Sequence, residues 1–249
     1  MAKSMNYETI GIVGGMGPYA GIYFANKLIS LNSIARKDAD HVAFILHSDP
    51  NIPSPVDSFL IRSTSPTPMM VDALKKLKSQ GADFGVIACN TAHIYFDEIA
   101  SKVDLPLINM IENTAKCVAS QALECPKIGL LATTATIKSG LYSRHFNSYG
   151  IEIIVPTDKE QTLISSAIFG SEFGIKATGT TPSAIAEQNL TEITDRLRER
   201  TDVQHLILGC TELSFAFPTH LRETFHIIDP IELLAQYCLM RTVLQTNSL

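Results

Sequence analysis

Several classes of protein are excluded by what this chain of 249 residues does not contain. No apolar run approaches the ~18–20 residues that cross a bilayer. The opening Met1-Ala-Lys-Ser-Met-Asn-Tyr-Glu has no apolar stretch, so no secretory signal is expected. Basic residues form no block. Twenty Lys and Arg stand against 25 Asp and Glu, for a net charge of −5, and the pI lies near 5.8. A nucleic-acid partner, which needs a basic footprint, is therefore not expected. Cysteine is scarce, with five residues and no CxxC pair. That excludes a disulfide scaffold and points to a reducing cytoplasm, where each thiol is either core or chemistry. There is no GxxxxGK(S/T) loop, no HExxH and no GxSxG, and the seven histidines show no ligand-like spacing. Neither a metal nor a bound cofactor is expected from these patterns.

What is present is a chain able to bury a large core, with 45% apolar and 18% charged residues. Short β-branched runs alternate with helical patterns. The expected strands are 9–13, 42–46, 84–88, 107–109, 127–131, 152–155, 205–208 and 227–228. The expected helices are 19–36, 66–79, 93–101, 111–123, 138–148, 159–169, 182–200 and 231–245. The strands are continuously apolar rather than alternating, as in a parallel sheet covered on both faces. The fold class is α/β.

The chain also repeats. Thr9-Ile-Gly-Ile-Val-Gly-Gly-Met-Gly resembles Lys127-Ile-Gly-Leu-Leu-Ala-Thr-Thr-Ala, and Val86-Ile-Ala-Cys-Asn-Thr resembles Ile207-Leu-Gly-Cys-Thr-Glu. Leu107-Ile-Asn-Met-Ile-Glu resembles Ile227-Ile-Asp-Pro-Ile-Glu. The offsets are 118, 121 and 120 residues. Three matches in order at nearly one offset indicate a duplication. They predict two pseudo-symmetric domains, each a mostly parallel four-stranded sheet flanked by helices, with a cleft between them.

The repeat pairs Cys89 with Cys210. Each follows an apolar strand and precedes a turn into a helix. That is the ligand-binding end of an open α/β sheet, and a helix start favours a thiolate. The plain alternative is two buried thiols acting as small hydrophobes. Cys117, Cys125 and Cys238 have no repeat partner and are read as structural. Asn90, Thr91, Thr211 and Glu212 either cap the helices after the two cysteines or bind a substrate's ammonium and carboxylate. The Gly14–Ala20 turn offers backbone N–H groups for a carboxylate or phosphate, or is simply a turn that needs glycine. As a dinucleotide fingerprint it lacks a well-placed acid, since Asp49 comes late. Thr133–Thr136 is its counterpart in the second half. Lys176 lies in a stretch, 173–179, expected to be flexible.

Ile10-Gly-Ile-Val-Gly-Gly-Met-Gly-Pro18, Ala88-Cys-Asn-Thr-Ala-His93, Gly129-Leu-Leu-Ala-Thr133 and Leu208-Gly-Cys-Thr-Glu-Leu213 together resemble the aspartate/glutamate racemase family, over about residues 9–231. The GGMGP and CNTAH forms resemble its aspartate racemase branch. The resemblance implies a cofactor-independent enzyme with Cys89 and Cys210 on opposite faces of a substrate Cα. Met16, Asn90, Thr91, Thr133, Thr136, Thr211 and Glu212 are implied around the substrate, with Lys176 at a basic position. The strand after each cysteine segment is implied to cross over, giving one domain of 1–104 plus 225–249 and another of 105–224. The family's substrate-binding Arg is missing. Ser54-Pro55 stand in its place, with Arg62 the nearest stand-in. The expected function is amino-acid racemisation in the cytoplasm, on aspartate first and glutamate or another small carboxylate second. A non-catalytic binder of small carboxylates on the same fold is the alternative. The partner is a small amino-acid substrate, with a homodimer as the assembly.

Overall fold

The computed structural model describes residues 8–121 and 126–246, with side chains described as far as Thr242. Cys125 lies outside the described residues. Seven strands form two parallel sheets. The first contains β1 (Ile10–Gly14), β2 (Phe44–Ser48) and β3 (Phe84–Ile87), in the order β2-β1-β3. The second contains β4 (Lys127–Ala132), β5 (Glu152–Ile154), β6 (His205–Gly209) and β7 (His226–Ile228), in the order β5-β4-β6-β7. The repeat is therefore structural as well as sequential. In both sheets the first strand is central, the second lies on one side and the third on the other. β1 and β3 are buried at every position, as continuous apolar runs require of a sheet covered on both faces.

The first sheet has three strands rather than the expected four. Residues 107–109 make only a parallel bridge, Gly85 to Leu107. Two backbone bonds hold it, Gly85 N to Pro106 O at 2.8 Å and Ile108 N to Gly85 O at 3.0 Å. Asn109 then ends the strand by capping helix Met110–Ala119, its Oδ1 accepting from the amides of Ile111 and Glu112. Asp229 repeats this device after β7, accepting from Ile231 N at 3.0 Å.

The strands after the two cysteine segments thus stay with the sheets that precede them, the 107 bridge on β3 and β7 on β6. The helices that follow change sides. Helix Pro230–Thr246 packs on helix Pro18–Ser30 and on helix Met110–Ala119, which also packs on helix Leu141–Asn147. One apolar core runs through both halves, joining Ile10, Ile12 and Phe24 with Ile128, Leu130 and Leu234. A separate core backs each sheet, one around Met70 and Leu74 and the other around Ile164 and Leu190. At the seam of the termini, Arg241 grips Glu8 with two bonds of 2.8 and 3.0 Å and covers the ring of Phe84.

Helix boundaries depart from expectation where polar residues interrupt an apolar pattern. The expected 19–36 helix stops at Ser30, and 138–148 is two helices, Thr134–Lys138 and Leu141–Asn147. The stretch around Lys176 is a helical turn, Ile175–Thr178, anchored by fully buried Ile175 and bounded by Gly174 and Gly179. None of the described helices is long and apolar enough to cross a membrane.

Candidate active site

Cys89 follows β3 and Cys210 follows β6, so both sit at the carboxyl ends of parallel strands, one in each sheet. Both line a single cavity of about 420 Å³. They are 5% and 4% exposed, so each sulfur is presented to the cavity from an otherwise closed wall. Gly15, Met16 and Gly17 close one side. Gly15 has φ +103°, and a Cβ there would meet the Asp49 carbonyl oxygen at 2.2 Å, so the turn requires glycine.

Each cysteine is held by different neighbours. His93 stands behind Cys89 and is buried. Its Nε2 accepts from Met110 N at 3.1 Å, so Nδ1 carries the proton and donates to the Cys89 carbonyl at 2.8 Å. Burial holds this ring neutral, with its pKa lowered to about 4. Thr91, Thr133 and Thr136 form a closed triangle of hydroxyls with edges of 3.0, 3.0 and 3.1 Å. Three hydroxyls in a ring satisfy one another, each donating once and accepting once. This triangle joins the two halves at the floor of the cavity. Thr133 also caps helix Thr134–Lys138, accepting from Thr136 N at 3.2 Å. Asn90 accepts at Oδ1 from the Tyr142 hydroxyl, while its Nδ2 is buried with no partner among the described residues.

Cys210 has an acid beside it. Its thiol donates to Glu212 Oε2 at 3.1 Å, and the other oxygen of Glu212 is paired with Lys176 Nζ. Glu212 is 4% exposed. Gly17 makes room for this pair, since a Cβ there would lie 3.2 Å from Glu212 Oε1 and 3.4 Å from Lys176 Nζ. Burial, and then the charge of Glu212, push the Cys210 thiol well above its ordinary pKa. Burial is also the first cause at Cys89, whose pKa is pushed up to about 11. Lys176 opposes both shifts. Its own pKa is raised, because Glu212 and the thiols outweigh the cost of burial. Both groups are thereby held as thiols at neutral pH.

Of the residues expected around a substrate, Met16, Asn90, Thr91, Thr133, Lys176, Thr211 and Glu212 line the cavity. Thr136 does not; it lies behind Thr91 and Thr133 as the third corner of their triangle. Arg62 does not either. It closes the far end of helix Pro55–Ile61, whose first residues face the cavity, and it lines a separate pocket with Ser58, Phe59 and Tyr95. Sequence reasoning missed Pro50, Ile52, Val56, Asp57 and Phe169 in the lining, and Tyr142 behind Asn90. Ile52, Val56 and Asp57 flank the Ser54-Pro55 positions of the missing Arg, whereas no motif marks the others, which arrive by loop and helix packing. Cys238 is buried in the shared core and Cys117 is half-buried, as expected of structural thiols. Among the described residues no group of three or more His, Cys, Asp or Glu is placed to hold a metal ion.

The chain is similar to known racemases. The family model described as Asp/Glu/Hydantoin racemase matches residues 13–238. The broad specificity amino-acid racemase RacX of Bacillus subtilis is 27% identical over 241 residues, covering 91% of this chain and 95% of that protein. Among solved structures, Picrophilus torridus aspartate racemase superposes with a TM-score of 0.80 at 29% identity, covering 95% of this chain and 94% of its own. The glutamate racemase RacE1 of Bacillus anthracis shares the fold, with a TM-score of 0.70 at 20% identity, over 98% of this chain and 83% of its own.

Proposed function

Because the chain belongs to the Asp/Glu/hydantoin racemase family, we propose that it racemises an α-amino acid with Cys89 and Cys210 as the two bases, without a cofactor. The observation that carries this is the convergence of both thiols, one from each repeat, on one cavity. Racemisation removes the Cα proton from one face and delivers a proton to the other. A thiolate on one side takes the proton and becomes a thiol. The thiol opposite gives its proton to the carbanion and becomes a thiolate, so charge and protons balance. Running the reaction backwards exchanges the two roles, which is what a duplicated site supplies.

The raised thiol pKa values suit this chemistry in one respect. A Cα–H is a very weak acid, and a thiolate with a high pKa is a strong base towards it. The cost is a small thiolate population. An arriving substrate ammonium, together with Lys176, favours the thiolate, and Glu212 is in place to accept the Cys210 proton. Asn90 Nδ2, buried and unpartnered, is the natural donor to the substrate carboxylate, whose charge grows as the carbanion forms.

The aspartate assignment rests on the GGMGP and CNTAH forms and on the likeness to the Picrophilus enzyme. It finds one cation in the lining, Lys176, already paired with Glu212. The name of the Bacillus relative favours a wider range of amino acids. The two domains are read as exchanging their final helices, with boundaries one strand later than 104 and 225. Free thiols at four described cysteines fit the cytoplasmic setting we propose. The test is incubation with single L-amino acids in D₂O, following loss of the Cα–H signal by NMR. Loss of racemisation in both Cys89→Ser and Cys210→Ser supports the reading, since the thiol left in each variant can still exchange the Cα–H of one enantiomer on its own face. Tight binding of an amino acid without exchange would replace it with a sensor.

A further inference from the structure

Three charged residues line the cavity that the side chain of the substrate must share: Asp57, Glu212 and Lys176. Lys176 and Glu212 neutralise each other. Asp57 makes no ion pair among the described residues. Its amide donates to Ser54 Oγ at 3.2 Å, at the cap of helix Pro55–Ile61, and the residue is exposed at the edge of the cavity. Ser54-Pro55, in the same turn, bring no guanidinium to the wall.

We propose that Asp57 faces the substrate's side chain and that the cavity takes amino acids with cationic side chains in preference to dicarboxylates. This rests on the racemase reading above. A second carboxylate on the substrate would meet Asp57 as a like charge. To be matched it would have to draw Lys176 away from Glu212, leaving a carboxylate that is only 4% exposed without its partner. Breaking such a pair is strongly unfavourable, because the remaining charge stays desolvated. A cationic side chain breaks nothing. It turns the one unmatched charge of the lining into a pair and leaves Lys176 and Glu212 in place. A cavity of about 420 Å³ also has room for a side chain longer than that of aspartate.

The experiment compares L-lysine, L-methionine and L-aspartate as substrates in the D₂O exchange assay, for the native protein, Asp57→Asn and Asp57→Glu. The native protein should exchange lysine with a kcat/KM at least about tenfold above aspartate, the scale of one charge-assisted contact. Asp57→Asn should lower the lysine-to-methionine ratio about tenfold, and Asp57→Glu, which keeps the charge, should restore most of it. A native preference for aspartate, or a ratio unchanged in Asp57→Asn, overturns this selectivity while leaving the two-thiol racemase standing. Absence of exchange with every amino acid overturns the racemase reading and this inference with it.

Discussion

Acidification should unlock the wall behind Cys89 through one residue. His93 is 3% exposed, and its two ring nitrogens are committed in opposite senses, one donating to Cys89 and the other accepting from Met110. A proton added at Nε2 would turn that acceptor into a donor facing the Met110 amide, inside an apolar surround. The folded state therefore holds the pKa at about 4, whereas an unfolded chain protonates its histidine near ~6.5. Between these values the unfolded state binds the proton that the folded state refuses, so stability falls as pH falls. The contribution of His93 is complete above pH ~6.5 and is lost progressively down to about 4, for a total of roughly 3 kcal/mol. Other groups titrate in the same window, including half-buried His145. The measurement is therefore a difference, comparing urea unfolding of the native protein and of His93→Gln from pH 7.5 to 4.5. The native protein should lose roughly 2–3 kcal/mol more than the variant, with the two curves converging towards low pH. Parallel loss in both proteins would show that the ring is not held neutral by its surroundings.

Cys89→Ser and Cys210→Ser should each lower racemisation by about 10²–10⁴-fold with unfolding midpoints unchanged, as chiral chromatography of the product and urea titration would show. Near-normal turnover in either variant would remove that thiol from the mechanism. Glu212→Gln removes a charge that raises the Cys210 pKa, so alkylation of Cys210 by iodoacetamide at pH 8 should speed up, read by mass spectrometry in a Cys89→Ser background. A slower reaction would contradict the electrostatic ordering. Gly129→Ala would place a Cβ 2.6 Å from Leu206 Cδ2 and 2.7 Å from Leu197 Cδ2, at the centre of the second sheet. It should cost about 1–3 kcal/mol in denaturant unfolding, and a neutral result would mean that the two leucines repack freely.

Strands β1 to β7 were legible because each is an apolar run ended by glycine, proline or a polar cap, and the two cysteines because the duplication marks them twice. The eighth strand was over-read: its apolar residues are present, but Asn109 begins a helix before the ladder can extend. Thr136 and Arg62 were misplaced for a different reason. Proximity in sequence to lining residues says nothing about which face of a turn or which end of a helix a side chain occupies. Tyr142, behind Asn90, carried no signal at all. Its position depends on packing between elements far apart in the chain, which no local pattern encodes.

The exchange of helices between the halves also sets an order of events during synthesis. The first sheet has all its strands once residue 87 has emerged, yet helix Pro18–Ser30 packs against helix Pro230–Thr246, which is made roughly 140 residues later. At roughly 5–20 residues per second, translation leaves that apolar face uncovered for on the order of ten seconds. The nascent amino-terminal half is thus a client for whatever shields apolar surface near the ribosome. A ribosome stalled before residue 230 would display a formed sheet with an unmatched helix.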